Sequence, residues 1–253
     1  MAAWRILKGH PLAMQAYFEH VLVLTYAVPD IALRPLLPRG LLLDMYETYG
    51  FLAIAMVQTR NMRPRFVPGR MGRDFFLTGY RIFTRYRTAS GKTLRGLRIL
   101  RSDTDSDFMV RWGNRLTHYD YRRSDVEYGV NERLLEIKIQ TADGEADLHV
   151  RAHLADEPAP LPAGSPFPNL QIARKFAGPL PFTFDYEAET DSIVRIQGVR
   201  QVWAPKTTRV EVLQNTFLAK EPFASARPIL ASAFHLADVP YQWKRGVREA
   251  VSA

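Results

Sequence analysis

Most apolar residues of this chain fall in unbroken runs or in strict alternation with polar ones. That is the period of β-strands rather than the roughly 3.6-residue period of helices. Phe18 to Val28 is apolar and β-branched and predicts a strand. Leu41-Leu-Leu-Asp44 leads through a turn near Tyr49-Gly50 into Phe51 to Gln58, almost wholly apolar, as suits a strand buried on both faces. Phe75 to Arg87 is a strand rich in aromatics, turned by Ser90-Gly91 into another over Thr93 to Arg101. Leu134 to Thr141 alternates strictly, with Leu135, Ile137 and Ile139 against Glu136, Lys138 and Gln140. Asp143-Gly144 is a strong hairpin signal, and Ala146 to Leu154 is its return strand. Ser192 to Trp203, Thr208 to Phe217 and Ala231 to Asp238 again read as strands.

Helix signals are few and short. Asp30 is placed to cap a helix over Ile31 to Leu37, which Pro38-Arg-Gly40 closes. The run Ser102-Asp-Thr-Asp-Ser-Asp107 predicts a helix start before Phe108 to Trp112, with Gly113-Asn114 as its stop. Asn169 caps a helix to Phe176, ended by Gly178-Pro179. Five prolines between Glu157 and Pro168 exclude regular structure there. Strand content is similar on both sides of that connection, so one domain over residues 1–253 is expected. The fold class is mainly β (α+β): a barrel or strongly curved sheets with a few short helices.

Composition narrows the chemistry. A 253-residue chain with 47% hydrophobic content can bury a sizeable core. With no cysteine there is no disulfide framework, thiol nucleophile or cysteine zinc site, and the cytoplasm is the default compartment. Val21-Leu-Val-Leu24 is far too short to span a bilayer, so no membrane association is expected. The net charge is +8, with arginine supplying 27 of the 34 basic residues and lysine only 7. No dinucleotide, phosphate-loop or nucleophile-elbow motif occurs, and no cofactor is expected. His149 and His153 share a face of one strand but stand about 13 Å apart at ~3.3 Å per residue. They cannot chelate one metal, and no metal site is expected.

The candidate chemistry gathers between Arg81 and Arg122. Arg81, Arg95, Arg98 and Arg101 are of the type that holds a carboxylate bidentately and keeps its charge when partly desolvated. His118, Tyr119 and Tyr121 can exchange protons with an enol or carbonyl. Asp103, Asp105 and Asp107 are assigned to the helix cap, which leaves arginine over-supplied and in need of a ligand anion. The alternative is a barrel filled by its own side chains. Lys138, on the face of Glu136 and Gln140, is expected to be exposed.

Several motifs together carry a family resemblance. They are Leu36-Leu-Pro-x-Gly-Leu41, Asp44, Phe51-Leu-Ala-Ile54, Gly79-Tyr-Arg81, Arg95-Gly-Leu-Arg-Ile-Leu100, Gly113-Asn114, Thr117-His-Tyr119 and Val239-Pro-Tyr-x-Trp243. In this combination, which spans most of the chain, the sequence resembles the uncharacterised bacterial proteins grouped as DUF2071, distant relatives of acetoacetate decarboxylase. The resemblance implies a β-barrel with flanking strands and a polar cavity. That decarboxylase forms a Schiff base on a lysine, which a second lysine activates. Aligned from Gly113, the lysine stretch falls on His118-Tyr-Asp-Tyr-Arg122, with Tyr121 at the nucleophile's position and Arg122 beside it. A tyrosine cannot form an imine, and no lysine lies between Lys92 and Lys138.

The expected function is therefore binding of a small carboxylate or keto acid in a barrel cavity without a Schiff-base lysine. The substrate-binding candidates are Arg81, Arg95, Arg98, Arg101 and Arg122; the catalytic candidates are His118, Tyr119 and Tyr121. Catalysis there would be lyase- or isomerase-like proton transfer on an enolisable carboxylate. The alternatives are a non-catalytic or homo-oligomeric scaffold, with Pro240 to Arg245 as an anchoring tail, and a nucleic-acid binder; the preferred reading of that tail is that it closes one barrel end, Tyr241 and Trp243 covering the core while Lys244 and Arg245 face water. The stretch Arg60 to Arg73, expected as a basic loop, prompts the last, but basic residues are spread along the chain and no reading motif appears, so no nucleic-acid partner is expected.

Overall fold

A computed structural model describes residues 8–154, 157–178, 180–200 and 204–251. Its strands are β1 (Met14–Pro29), β2 (Leu41–Leu43), β3 (Tyr49–Pro64), β4 (Arg73–Arg87), β5 (Thr93–Thr104), β6 (Tyr121–Asn131) and β7 (Leu134–Thr141). After these come β8 (Leu148–His153), β9 (Phe182–Glu187), β10 (Ser192–Val199), β11 (Lys206–Thr207), β12 (Arg209–Asn215), β13 (Ile229–Trp243) and β14 (Val247–Ala250). The predicted strand over Ser192 to Trp203 corresponds to β10, and residues 201–203 lie outside the described residues, as does Pro179 of the expected helix stop.

Pairing runs β5–β9–β10–β13–β1–β3–β4 and returns from β4 to β5, so seven strands close into a ring. Within it only the β5–β9 contact is parallel. β6 begins alongside β5, with Tyr121 to Arg123 parallel to Ser102 to Thr104, and then leaves the ring to build a second layer with β7, β8 and β12. The expected mainly-β fold with few helices is what forms.

Strand parity explains why one set of strands serves two cores. Leu22, Leu24, Leu52, Ile54, Met56 and Ile82 face out of the ring and pack on Leu135, Ile137, Ile139, Leu148 and Val150 of the second layer. The intervening residues of the same strands face in. One end of the ring is filled by Phe51, Phe83, Phe167 and Phe176, the Phe51 and Phe167 rings stacked at 5.3 Å between centroids. Phe176 comes from the helix Leu170–Ala177, whose cap is the predicted one: Asn169 Oδ1 accepts from the Ile172 N–H at 2.9 Å. Removing a buried ring such as Phe51 would cost about 3–5 kcal/mol.

Three local expectations change. Asp30 does not cap the first helix; it is its first residue and pairs with Arg34 at 2.7 Å, one turn on. The stretch expected as a basic loop is partly strand, since β3 runs to Pro64 and β4 starts at Arg73. Arg60 there is held by Glu19 at 2.8 Å and Asp74 at 3.3 Å. Helix does not stop at Gly113-Asn114: a π-type turn over Met109–Gly113 passes into Asn114–Leu116. Gly113 serves packing instead, because a Cβ there would stand 2.5 Å from the Tyr121 ring.

Candidate functional site

Part of the inward face of the ring carries small residues in place of filling ones. Ala53 and Ala55 on β3 leave room, and a cavity of about 490 Å³ remains between the barrel wall and the helical segment 107–116. Arg81 on β4 points into it. The Arg81 side chain is deeply enclosed, and the surface it retains belongs to the cavity wall. Its Nε is buried with no hydrogen-bond partner, and among the described residues no carboxylate pairs with it. Burial pushes its pKa down, opposed by the phenols of Tyr241, Tyr119 and Tyr121 around it.

The helical segment and the loop after it deliver two of those phenols. Thr117 Oγ1 donates to the Gly113 carbonyl at 2.9 Å. The Asn114 amide donates to the Tyr121 carbonyl at 2.8 Å and accepts the Tyr121 N–H at 2.7 Å. Asn114 thus works as a clamp on the first residue of β6 rather than as a helix stop. Tyr119 and Tyr121 lie with ring centroids 6.1 Å apart, both buried and both lining the cavity. Burial raises the pKa of each, opposed at Tyr119 by the neighbouring Thr183 hydroxyl. Tyr241 and Trp243, from the expected tail, are the end of β13 and line the same cavity.

A second group stands beside Tyr119. The His10 ring packs on it at 4.7 Å between centroids, and His10 Nε2 is 3.5 Å from Oδ2 of the fully buried Asp185. His10 lines the cavity. Nothing in the sequence marked this pair, which is separated by most of the chain and matches no spacing motif; only the meeting of β9 with the segment before β1 reveals it.

The other sequence candidates are placed elsewhere. Arg95 and Arg85 clamp the buried Asp44 at 2.6 and 2.5 Å, and Arg95 also donates to the Phe176 carbonyl at 3.0 Å. Arg98 donates to Asp185 at 3.3 Å. Arg101 holds Asp103 at 2.8 Å and Asp143 at 2.8 Å. Arg122, partly exposed, pairs with Asp120 at 2.9 Å and Asp143 at 3.0 Å. None of these five arginines lines the cavity. The supposed surplus of arginine is thus largely met by acids from distant strands.

Asp103 does not cap the helix either; the Met109 N–H donates to Ser106 Oγ at 3.4 Å, Asp105 accepts the Phe76 N–H, and Asp107 pairs with Arg123. His118 turns towards Glu187 at 3.9 Å, its pKa lowered by burial, and is not part of the cavity wall. Lys138 pairs with Glu127 at 3.3 Å with 45% of its side chain exposed. Among the described residues lining the cavity there is no lysine, and no cluster of three or more potential metal ligands occurs among the described residues. No described helix is long and apolar enough to cross a membrane.

Solved structures share this fold. Acetoacetate decarboxylase from Legionella pneumophila superposes with a TM-score of 0.64 at 12% identity, over 95% of this chain and 88% of that one. An acetoacetate decarboxylase-like enzyme from Sphingomonas wittichii RW1 gives 0.61 at 12% identity, over 95% and 93%. The enduracididine biosynthesis enzyme MppR, complexed with pyruvate, gives 0.53 at 11% identity, over 96% and 91%. No curated protein matches in sequence. The model of DUF2071, an uncharacterized conserved protein family, matches residues 15–239, and the chain belongs to that family.

Proposed function

We propose that the barrel cavity binds a small carboxylate or keto acid, with Arg81 as its anchor. The observation that carries this reading is a deeply enclosed guanidinium on a cavity wall without an acidic partner. A buried charge without a partner is costly, and an entering carboxylate would satisfy it through short, charge-assisted bonds. Tyr119 and Tyr121 then stand within the same electrostatic neighbourhood, as proton donors that burial keeps in the phenol form. The MppR structure with pyruvate offers a precedent for a keto acid on this fold. With Tyr121 where the decarboxylase carries its lysine, binding proceeds without an imine. If the cavity is catalytic, the groups present suit proton transfer on an enolisable carboxylate, with His10 beside Tyr119 as the proton acceptor.

The test is a thermal-shift and calorimetric screen of pyruvate, acetoacetate and related carboxylates on the wild type, Arg81→Gln and Tyr121→Phe. Binding that falls roughly tenfold to a hundredfold in Arg81→Gln is expected for a lost hydrogen-bonded charge. Binding indifferent to Arg81, or a borohydride-trapped lysine adduct, would remove the proposal.

A further inference from the structure

We infer that the ligand of this cavity is a carboxylate carrying an extended apolar chain or ring, not a compact keto acid. The inference rests on the carboxylate reading above and deepens it. A charged and phenolic group gathers at Arg81: Arg200 lies 5.8 Å from the Tyr241 ring centroid, the Tyr119 and Tyr121 rings are 6.1 Å apart, and all three phenols adjoin Arg81. Much of the remaining wall is hydrocarbon, including Val21, Val23, Ala55, Val57, Leu97 and Ile99, with only short hydroxyls such as Thr59 and Ser102 among them. The hydrocarbon side chains have no polar atom with which to order water, and a compact acid at Arg81 would leave them uncovered.

Size points the same way. At ~30 Å³ per water molecule, the cavity of about 490 Å³ has room for roughly sixteen. A small keto acid fills a minor part of that. An apolar tail reaching along the wall would fill the rest, and its burial supplies the affinity that one anchored carboxylate lacks.

The entrance is a separate observation. Met71, Phe108 and Trp112 line the cavity, yet they are 61%, 45% and 44% exposed, so they stand where it meets solvent. Arginines are stacked on this rim: Arg73 lies 5.3 Å from the Phe108 ring centroid and Arg115 5.3 Å from that of Trp112. Exposed aromatics interleaved with guanidinium groups suit an amphiphilic anion, whose head and tail each find a partner on the way in.

The experiment is a chain-length ladder of butanoate, hexanoate, octanoate and decanoate, with pyruvate and decan-1-ol alongside, at concentrations where each is monomeric. Binding is read by calorimetry and by fluorescence of Trp112 and Trp243, which line the cavity. Affinity is expected to rise on the order of threefold to fourfold per methylene. Decan-1-ol should bind at least tenfold more weakly than decanoate, and Arg81→Gln should erase that difference. A flat ladder with pyruvate the tightest ligand would overturn the inference and leave the carboxylate reading standing. A rising ladder in which decan-1-ol equals decanoate, or binding by none of these probes, would overturn both.

Discussion

Arg81 lies folded over Gly79, so closely that a Cβ added to that glycine would stand 2.7 Å from Arg81 Nε and 2.9 Å from Nη2. The two are on the same strand and the same inward face. A strand glycine often marks such a close approach. Gly79→Ala is therefore expected to push the guanidinium off its seat while β4 still pairs on both sides. Affinity for a carboxylate should fall on the order of tenfold, read by calorimetry, with an unchanged circular dichroism spectrum. Wild-type affinity in Gly79→Ala would mean that Arg81 does not bind from this position.

Arg101 is the opposite case, an arginine wholly satisfied by protein. It grips Asp103, whose side chain is fully buried, and reaches Asp143 in the turn between β7 and β8 with both Nη atoms, at 2.8 and 2.9 Å. The two acids respond differently: burial raises the pKa of Asp103 against the pull of Arg101, while Arg101 lowers that of the more exposed Asp143. Arg101→Leu leaves Asp103 uncompensated and loosens the second layer. It should cost about 3–5 kcal/mol in denaturant unfolding. Adding Asp103→Leu should recover part of that loss, and a double variant as unstable as the single one would count against this account.

The outer face of the barrel holds a titratable pair. His20 Nδ1 and His235 Nε2 are 3.0 Å apart across β1 and β13, with the Tyr128 ring 6.1 Å from His20. Burial lowers the pKa of both, that of His235 to about 4, helped by His20 and Lys206; Glu19 and Asp238 act in the raising direction on His20. Since the folded value lies below the ordinary one near 6.5, the unfolded chain binds more protons in between. The contribution is fully present above about pH 6.5 and is lost as pH falls towards 4. For a partly exposed pair it should amount to about 2 kcal/mol. Urea midpoints between pH 7 and 4.5 should fall more steeply in the wild type than in His235→Gln.

Much of this architecture could be read from residue order because its signals are local. The alternation of Leu134 to Thr141, the Asp143-Gly144 turn and the Asn169 cap each act within a few residues, and each stands where the pattern put it. The fate of the arginines was not local. Strict alternation puts Arg101 on the side of Leu97 and Ile99, but in β5 Leu100 is left unpaired: Tyr80 faces Arg101 while Arg81 faces Ile99. That bulge turns Arg101 outward to its aspartates and brings Ser102 to the cavity. Arg95 found Asp44, and Arg98 found Asp185, through pairings that no spacing records. Sequence alone could not tell Arg81, which faces the cavity, from Arg95, Arg98 and Arg101, which found acids, and it could not bring His10 to Asp185.

Arg81 should also reveal itself through stability without ligand. A guanidinium enclosed among phenols and hydrocarbon, with no carboxylate, opposes folding; its lowered pKa has the same cause. Replacing a buried charge by an apolar side chain of similar volume is often stabilising, by about 1–4 kcal/mol. Arg81→Met keeps the bulk against Gly79 and Ile99 and removes the charge. The ligand-free variant should therefore melt at a higher temperature than the ligand-free wild type, by several degrees at roughly 2–4 °C per kcal/mol. A saturating carboxylate should reverse the order, because it stabilises only the protein that retains the guanidinium. Melting curves of both proteins with and without that ligand give the four values needed. An Arg81→Met variant less stable than wild type in the absence of ligand would mean that the arginine already has its partner within the fold, and the anchor would have to be sought elsewhere in the cavity.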